Sequence, residues 1–251
     1  WKGFANQLTH PAWNGFHMYD GIFPLFLFMA GVATPYSVGR ELEKGQPKSA
    51  IAFRVLKRCL LLILFGLIVN NGIEIKPISE IRFGSVLGRI GTAYLFANLI
   101  YLNAGKKWQM VWFWGILVFY WAMLKFNAAP GFPAGDLTME GNFASYIDRL
   151  LMPGKLYLDI HDPEGLAAGQ SGLSLIHAIS TGLLGIMTGT FIKSNPSSGT
   201  SKSIKMAAVG LLFLGLAFLW NFSFPINKNL WSSSFVLHVG GISLLLMAAF
   251  Y

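Results

Sequence analysis

The sequence predicts an all-α, polytopic transmembrane helical bundle of about seven spans, on three observations. Hydrophobic residues make up 54% of the 251 residues and charged residues only 12%, against about 25% charge in an ordinary soluble domain. The apolar residues fall in continuous runs close to the roughly 17–25 residues that a bilayer requires, without the period-two alternation of an outer-membrane barrel. The cations gather in alternate connections between the runs, as the positive-inside rule requires.

The runs are, approximately, residues 19–38, 55–72, 83–103, 108–124, 166–192, 205–224 and 230–251. The first contains Phe23-Pro24 and Gly31, which membrane helices tolerate because neighbouring helices re-satisfy the backbone. Arg40, Lys44, Lys48, Arg54, Lys57 and Arg58 gather between the first and second, the last two at the second's start, and the second contains Cys59, the single cysteine, so neither a disulfide framework nor a zinc spacing is present. The third holds Arg89 within an otherwise apolar stretch. Lys106 and Lys107 separate it from the fourth. His177 lies in the fifth and His238 in the last, and Lys193, Lys202 and Lys205 flank the linker between the fifth and sixth. The other connections carry most of the acids, among them Glu74, Glu80, Asp136, Glu140, Asp148, Asp159, Asp162 and Glu164.

All three basic connections fall on one side when the spans alternate. Residues 1–18, 73–82, 125–165 and 225–229 are therefore expected outside the cytoplasm, with 125–165 as the long external loop. The chain reads as one transmembrane domain over residues 1–251, a fragment of a longer multi-pass protein. The formal charge of +8 does not indicate nucleic acid, because the cations sit in short clusters between apolar runs. No Walker loop, dinucleotide fingerprint or nucleophile elbow is present.

The chemistry-bearing residues collect on the expected outer face. If residues 10–20 were helical throughout, His10, Trp13, His17 and Asp20 would share a face, although Gly15 and Gly21 argue against a continuous helix. A histidine at the membrane boundary is either a general base or acyl acceptor, or an interfacial side chain with a satisfied hydrogen bond. Asp20, at the edge of an apolar run, marks a site or an ion pair, and Arg89 is its candidate partner. Asp162-Pro163-Glu164-Gly165 suits an amine-bearing ligand or a helix cap. In Asn227-Lys228-Asn229-Leu230-Trp231-Ser232 the amides can read hydroxyls, and Trp231 can stack on a sugar ring or belong to the aromatic belt. His10, His17 and Asp20 match no standard metal spacing, so no metal is expected.

Six strings together carry a resemblance: His10-x-x-Trp13-Asn14-Gly15; Asp20-x-x-Phe23-Pro24-x-Phe26-x-Phe28-x-x-Gly31; Val86-Leu87-x-Arg89-x-Gly91-x-x-Tyr94; Tyr146-Ile147-Asp148-Arg149-Leu150-Leu151; Asp162-Pro163-Glu164-Gly165; and Asn227-Lys228-Asn229-Leu230-Trp231-Ser232. In this order the chain resembles the heparan-α-glucosaminide N-acetyltransferase-like transmembrane acyltransferases, in a bacterial-type form without a visible luminal domain. The resemblance implies about eleven helices in a complete protein, and acetyl-CoA as co-substrate from the cytoplasmic side. It also implies an extracytoplasmic amino-sugar acceptor and His10 as the catalytic histidine, in a bacterial inner membrane. On that footing Asp20 orients His10. Trp13, Asn14, Arg89, Asp162, Glu164, Asn227, Lys228, Asn229 and Trp231 are expected around the acceptor. Arg40, Lys44, Arg54, Lys57 and Arg58 are expected to meet the phosphates of CoA. The partners expected are the lipid bilayer and the acceptor, with a homodimer left open. The alternative reading is a polytopic transporter of a sugar or ion, with Asp20 and Arg89 lining a polar path.

Overall fold

A computed structural model describes residues 2–74, 76–155, 174–194 and 196–251. Nine helices follow in order among them: α1 Lys2–Gln7, α2 Ile22–Glu43, α3 Lys48–Asn71, α4 Val86–Asn103, α5 Lys106–Phe126, α6 Phe143–Leu151, α7 Ser174–Ser194, α8 Gly199–Asn221 and α9 Ser233–Phe250. Seven of these are 18–24 residues long, about 27–36 Å at 1.5 Å per residue, and they correspond to the seven expected runs. Five are long and apolar enough to cross a membrane: the stretch holding α2, together with α5, α7, α8 and α9. The all-α multi-pass architecture stands, and the count of seven apolar spans is corrected to five among the described residues. The reason lies in the two exceptions. α3 begins at Lys48 rather than near residue 55, which draws Arg54 into the helix beside Lys57 and Arg58. In α4, Arg89, Asn98 and Asn103 dilute the apolar run.

Helix ends follow side-chain chemistry. Ser85, Ser198 and Ser232 each cap a helix by accepting a backbone N–H, from Gly88, Ser201 and Phe235 respectively. In the interior α8 packs on α9, α2 on α7, and α3 on α4, while α7 also touches α4, α5 and α9. The α2–α7 crossing is made by glycines. A Cβ on Gly185 would lie 2.9 Å from the Phe28 carbonyl carbon, and one on Gly31 would lie 2.9 Å from the Gly185 Cα. Small residues allow this approach, on which helix association in lipid depends.

The bundle has two chemically different ends. Lys193 donates to the Pro35 carbonyl and to Glu43, Lys106 to Ser194, and Lys202 to the Ile192 carbonyl. These contacts gather the C-terminal ends of α2 and α7 with the N-terminal ends of α5 and α8. The opposite end joins the segment before α2, the α8–α9 connection and the N-terminal ends of α4 and α7.

Candidate active site

Residues 8–17 are not helical, so His10, Trp13, His17 and Asp20 do not share a helix face. Pro11 and Gly15, whose φ is 120°, break the run, and the Gly15 N–H instead donates to the Ile226 carbonyl. A 3-10 turn over Met18–Gly21 then leads into α2 and buries Asp20.

This loop brings His10 back onto Asp20. His10 Nδ1 lies 2.6 Å from Asp20 Oδ1, with Asp20 fully buried and the His10 side chain 40% exposed. The other carboxylate oxygen accepts the His17 backbone N–H at 2.9 Å. A carboxylate only accepts, so Nδ1 carries the hydrogen and the Nε2 lone pair is left for chemistry. Lys228, from the α8–α9 connection, completes the group. Its Nζ is 3.2 Å from Asp20 Oδ1, and 3.2 and 3.1 Å from His10 Nδ1 and Nε2. An ammonium equally near both ring nitrogens stands off their in-plane lone pairs. It is therefore a close charge contact with the imidazole and an ion pair with Asp20. Burial pulls the Lys228 ammonium below its ordinary value, the Asp20 carboxylate opposes that shift, and Arg89 adds to it. The Tyr19 ring packs 4.8 Å from the His10 ring.

Asp20 is thus partnered by His10 and Lys228, and the expected Asp20–Arg89 pair does not form. Arg89 lies deeper. Its guanidinium stands 5.2 Å from the centre of the Trp231 ring and donates to Ser174 Oγ at 2.6 Å. Trp231 is fully buried, at a φ of 54°, between Phe23 and Phe235, with its Nε1 donating to Thr181. It is neither a sugar platform on the surface nor part of an aromatic belt. Its carbonyl accepts from His177 Nδ1, and the His177 ring packs 4.0 Å from Tyr120, so His177 is a packing residue. His238 lies against Phe16.

Asn227 is also fully buried, and every polar group of its side chain is engaged. Nδ2 donates to the Trp13 carbonyl at 3.0 Å and to Asn14 Oδ1 at 3.1 Å, while Oδ1 accepts the Leu230 N–H at 2.8 Å. Trp13 Nε1 donates to the Leu137 carbonyl. Asn227, Asn14 and Trp13 therefore clip the His10 loop to the rest of the bundle, with the Asn227 amide fully engaged and Asn14 exposed. Asn229 is half-buried. Asp162 and Glu164 lie outside the described residues.

Of the five expected phosphate-binding cations, two have side-chain partners and three are exposed. Arg54 is forked onto the Glu41 carboxylate at 2.6 and 2.5 Å. Arg58 reaches the Tyr94 hydroxyl and lines a cavity of 530 Å³ between α2, α3 and α4. Arg40, Lys44 and Lys57 are exposed. Among the described residues no three His, Cys, Asp or Glu side chains gather as a metal would require.

Sequence reasoning missed two features of the site. Tyr19 beside His10 had no signal beyond its place in the boundary segment. The buried contacts of Asn227 are preceded only by the dense Asn-Lys-Asn run that opens the last span.

No family model matches the chain. It is 27% identical to the heparan-alpha-glucosaminide N-acetyltransferase of Homo sapiens over an aligned length of 300 residues, which takes in 96% of this chain and 44% of that protein. To the Mus musculus protein of the same name it is 28% identical over 282 residues, 90% of this chain and 42% of that protein. The chain thus spans less than half the length of the curated relatives it matches. The likeness runs along nearly all of this chain, and it bears out the resemblance carried by the six strings.

Proposed function

We propose that this chain is the transmembrane acyltransferase domain of an N-acetyltransferase, which moves an acetyl group from acetyl-CoA to the amine of an amino sugar, with His10 as the base. The observation that carries the reading is the His10–Asp20 bond, which holds the hydrogen on Nδ1 and leaves Nε2 to take a proton. The curated relatives, N-acetyltransferases by name, support the same class of chemistry.

In this mechanism the sugar amine attacks the thioester carbonyl and His10 Nε2 accepts the proton that the nitrogen sheds. Asp20 stabilises the imidazolium that forms. The C–S bond breaks, and the proton on Nε2 passes to the leaving CoA thiolate. Positioned proton transfer of this kind contributes about 10²–10⁴-fold. Lys228 offers a fixed positive charge to the oxyanion that develops on the carbonyl. The same geometry serves transfer through an acetyl-His10 intermediate, which a quench with labelled acetyl-CoA in the absence of acceptor would reveal. Arg89, Asp162, Glu164 and Asn229 remain proposed acceptor contacts, and Arg58, at the rim of the α2–α3–α4 cavity, is the proposed CoA contact. The His10 end of the bundle is assigned to the extracytoplasmic side of a bacterial inner membrane, since the Lys- and Arg-rich connections lie at the other end.

The test is transfer of labelled acetyl from acetyl-CoA to glucosamine by the purified protein, comparing wild type with His10→Ala. Product from wild type and none from the folded variant is the expected result. Equal product from both would overturn the assignment of His10.

A further inference from the structure

We propose that the bundle carries a second site, between α5, α7 and α8 at its cation-rich end, for an anionic phospholipid whose headgroup bears a hydroxyl, of the phosphatidylglycerol kind. Two adjoining cavities of 390 and 370 Å³ share the walls formed by Met110, Met187 and Phe191. The outer one is polar at its mouth, where Lys106, Gln109, Thr190 and Ser194 stand. The inner one is apolar, running down to Trp114, Phe213 and Leu244. From Lys106 to Trp114 the depth is about 12 Å at 1.5 Å per residue, which suits part of an acyl chain below a polar head.

Charge and hydrogen bonding select the head. Lys106 and Lys205 line the slot, and neither cavity is lined by a carboxylate. Cations at this level of a bilayer attract anionic lipid. Gln109 is 3% exposed, and its Nε2 donates to the Ala104 carbonyl at 2.8 Å. That bond fixes the amide orientation and leaves Oε1 buried at the mouth with no donor. A buried acceptor in this state is costly until something supplies a hydrogen, and a headgroup hydroxyl beside the phosphate does so. Thr190 Oγ1, on the same rim, is also without a partner.

The slot is not a route to His10. At its inner end Phe213 stacks on the fully buried Phe113 with ring centres 5.9 Å apart. A thioester entering here would stop short of the reacting histidine, whereas a lipid chain has only to end there. The sides carry Met110 and Val209, exposed at 48% and 41% on the flank of the bundle, where acyl chains have lateral access.

The test is native mass spectrometry of the purified protein, titrated with phosphatidylglycerol, phosphatidylmethanol (the same charge without the hydroxyl) and phosphatidylcholine. Wild type is expected to retain one phosphatidylglycerol with at least tenfold preference over phosphatidylcholine. Lys106→Ala with Lys205→Ala should erase that preference, each cation accounting for about fivefold. Gln109→Leu should keep the charge preference and lose the preference for phosphatidylglycerol over phosphatidylmethanol. Val209→Trp should fill the slot and abolish binding. Equal retention of phosphatidylglycerol and phosphatidylcholine by wild type, or no response to the Gln109 and lysine substitutions, would overturn the proposal. So would displacement of bound phosphatidylglycerol by desulfo-CoA, which would assign the slot to the acyl donor.

Discussion

Replacing Asp20 with asparagine changes one atom and should disable the site. The Asp20 oxygens receive three donors: His10 Nδ1 and Lys228 Nζ at Oδ1, and the His17 backbone N–H at Oδ2. An amide has one acceptor oxygen, so either orientation sets an N–H against an N–H. With its oxygen toward His10, the amide NH₂ faces the His17 N–H. Turned around, it faces His10 Nδ1 and drives the ring hydrogen to Nε2, the atom that accepts the proton in the proposed mechanism. Loss of the correct tautomer lowers turnover by about 10²–10⁴-fold. The substitution also strands Lys228, whose side chain is only 14% exposed. Removing one partner of a buried pair costs about 3–5 kcal/mol. Solvent at His10, 40% exposed, reduces this to about 2–3 kcal/mol by screening. The assay is initial-rate release of CoA thiol, beside thermal unfolding followed by tryptophan fluorescence. The expected outcome is a turnover loss of at least about 100-fold and a midpoint lowered by about 4–12 °C at roughly 2–4 °C per kcal/mol. Asp20→Asn with Lys228→Met should recover part of the stability, since no bare charge remains, and none of the activity. A folded Asp20→Asn protein turning over at the wild-type rate would refute the reasoning.

Lys228→Met alone should lower turnover by about 100-fold, at the low end for loss of one oxyanion-stabilising group, the role proposed for it, with Lys228→Arg recovering part of it in the same assay. Because burial lowers the Lys228 pKa, the folded protein sheds this proton before the unfolded chain does. This group's contribution to stability therefore rises with pH in the window just below its ordinary 10.5, and unfolding curves across that window should lose the rise in Lys228→Met. Asn227→Ala removes the clip on the His10 loop and leaves the buried Leu230 N–H unmet; a loss of about 1–3 kcal/mol and a fall in turnover should appear together. Gly185→Ala pushes a methyl into the Phe28 carbonyl across the α2–α7 crossing; overpacking of about 1–3 kcal/mol should show as a lower unfolding midpoint.

The helical layout was legible because a bilayer imposes a length and a composition that any window of the sequence reveals. What misled the span count was Arg54, Lys57 and Arg58. They read as a connection by charge, yet a helix carries them on its surface, and backbone hydrogen bonding does not stop where hydropathy does. His10 and Asp20 stood out as a boundary histidine and a carboxylate at the edge of an apolar run. Their mutual contact depends on Pro11 and Gly15 turning the chain back, a local break that helix periodicity does not contain. The pairing of Asp20 with Lys228 rather than Arg89 was not legible, since both cations satisfy the same charge argument. Packing decided it, by burying Arg89 against Trp231.

Lys228 follows His10 by 218 residues, and this separation sets an order on biosynthesis. At about 5–20 residues per second, roughly 10–45 s pass between the emergence of the histidine and that of its cationic neighbour. During that interval Asp20 lies at a membrane edge without the ammonium that balances it, and the His10 loop has no Asn227 to hold it. The group around His10 is therefore completed only after the α8–α9 connection has emerged and folded back onto the segment before α2. A ribosome that stalls before Lys228 leaves His10 without its cationic neighbour and its loop without the Asn227 clip. Emergence of the α8–α9 connection is thereby a condition for the geometry around His10.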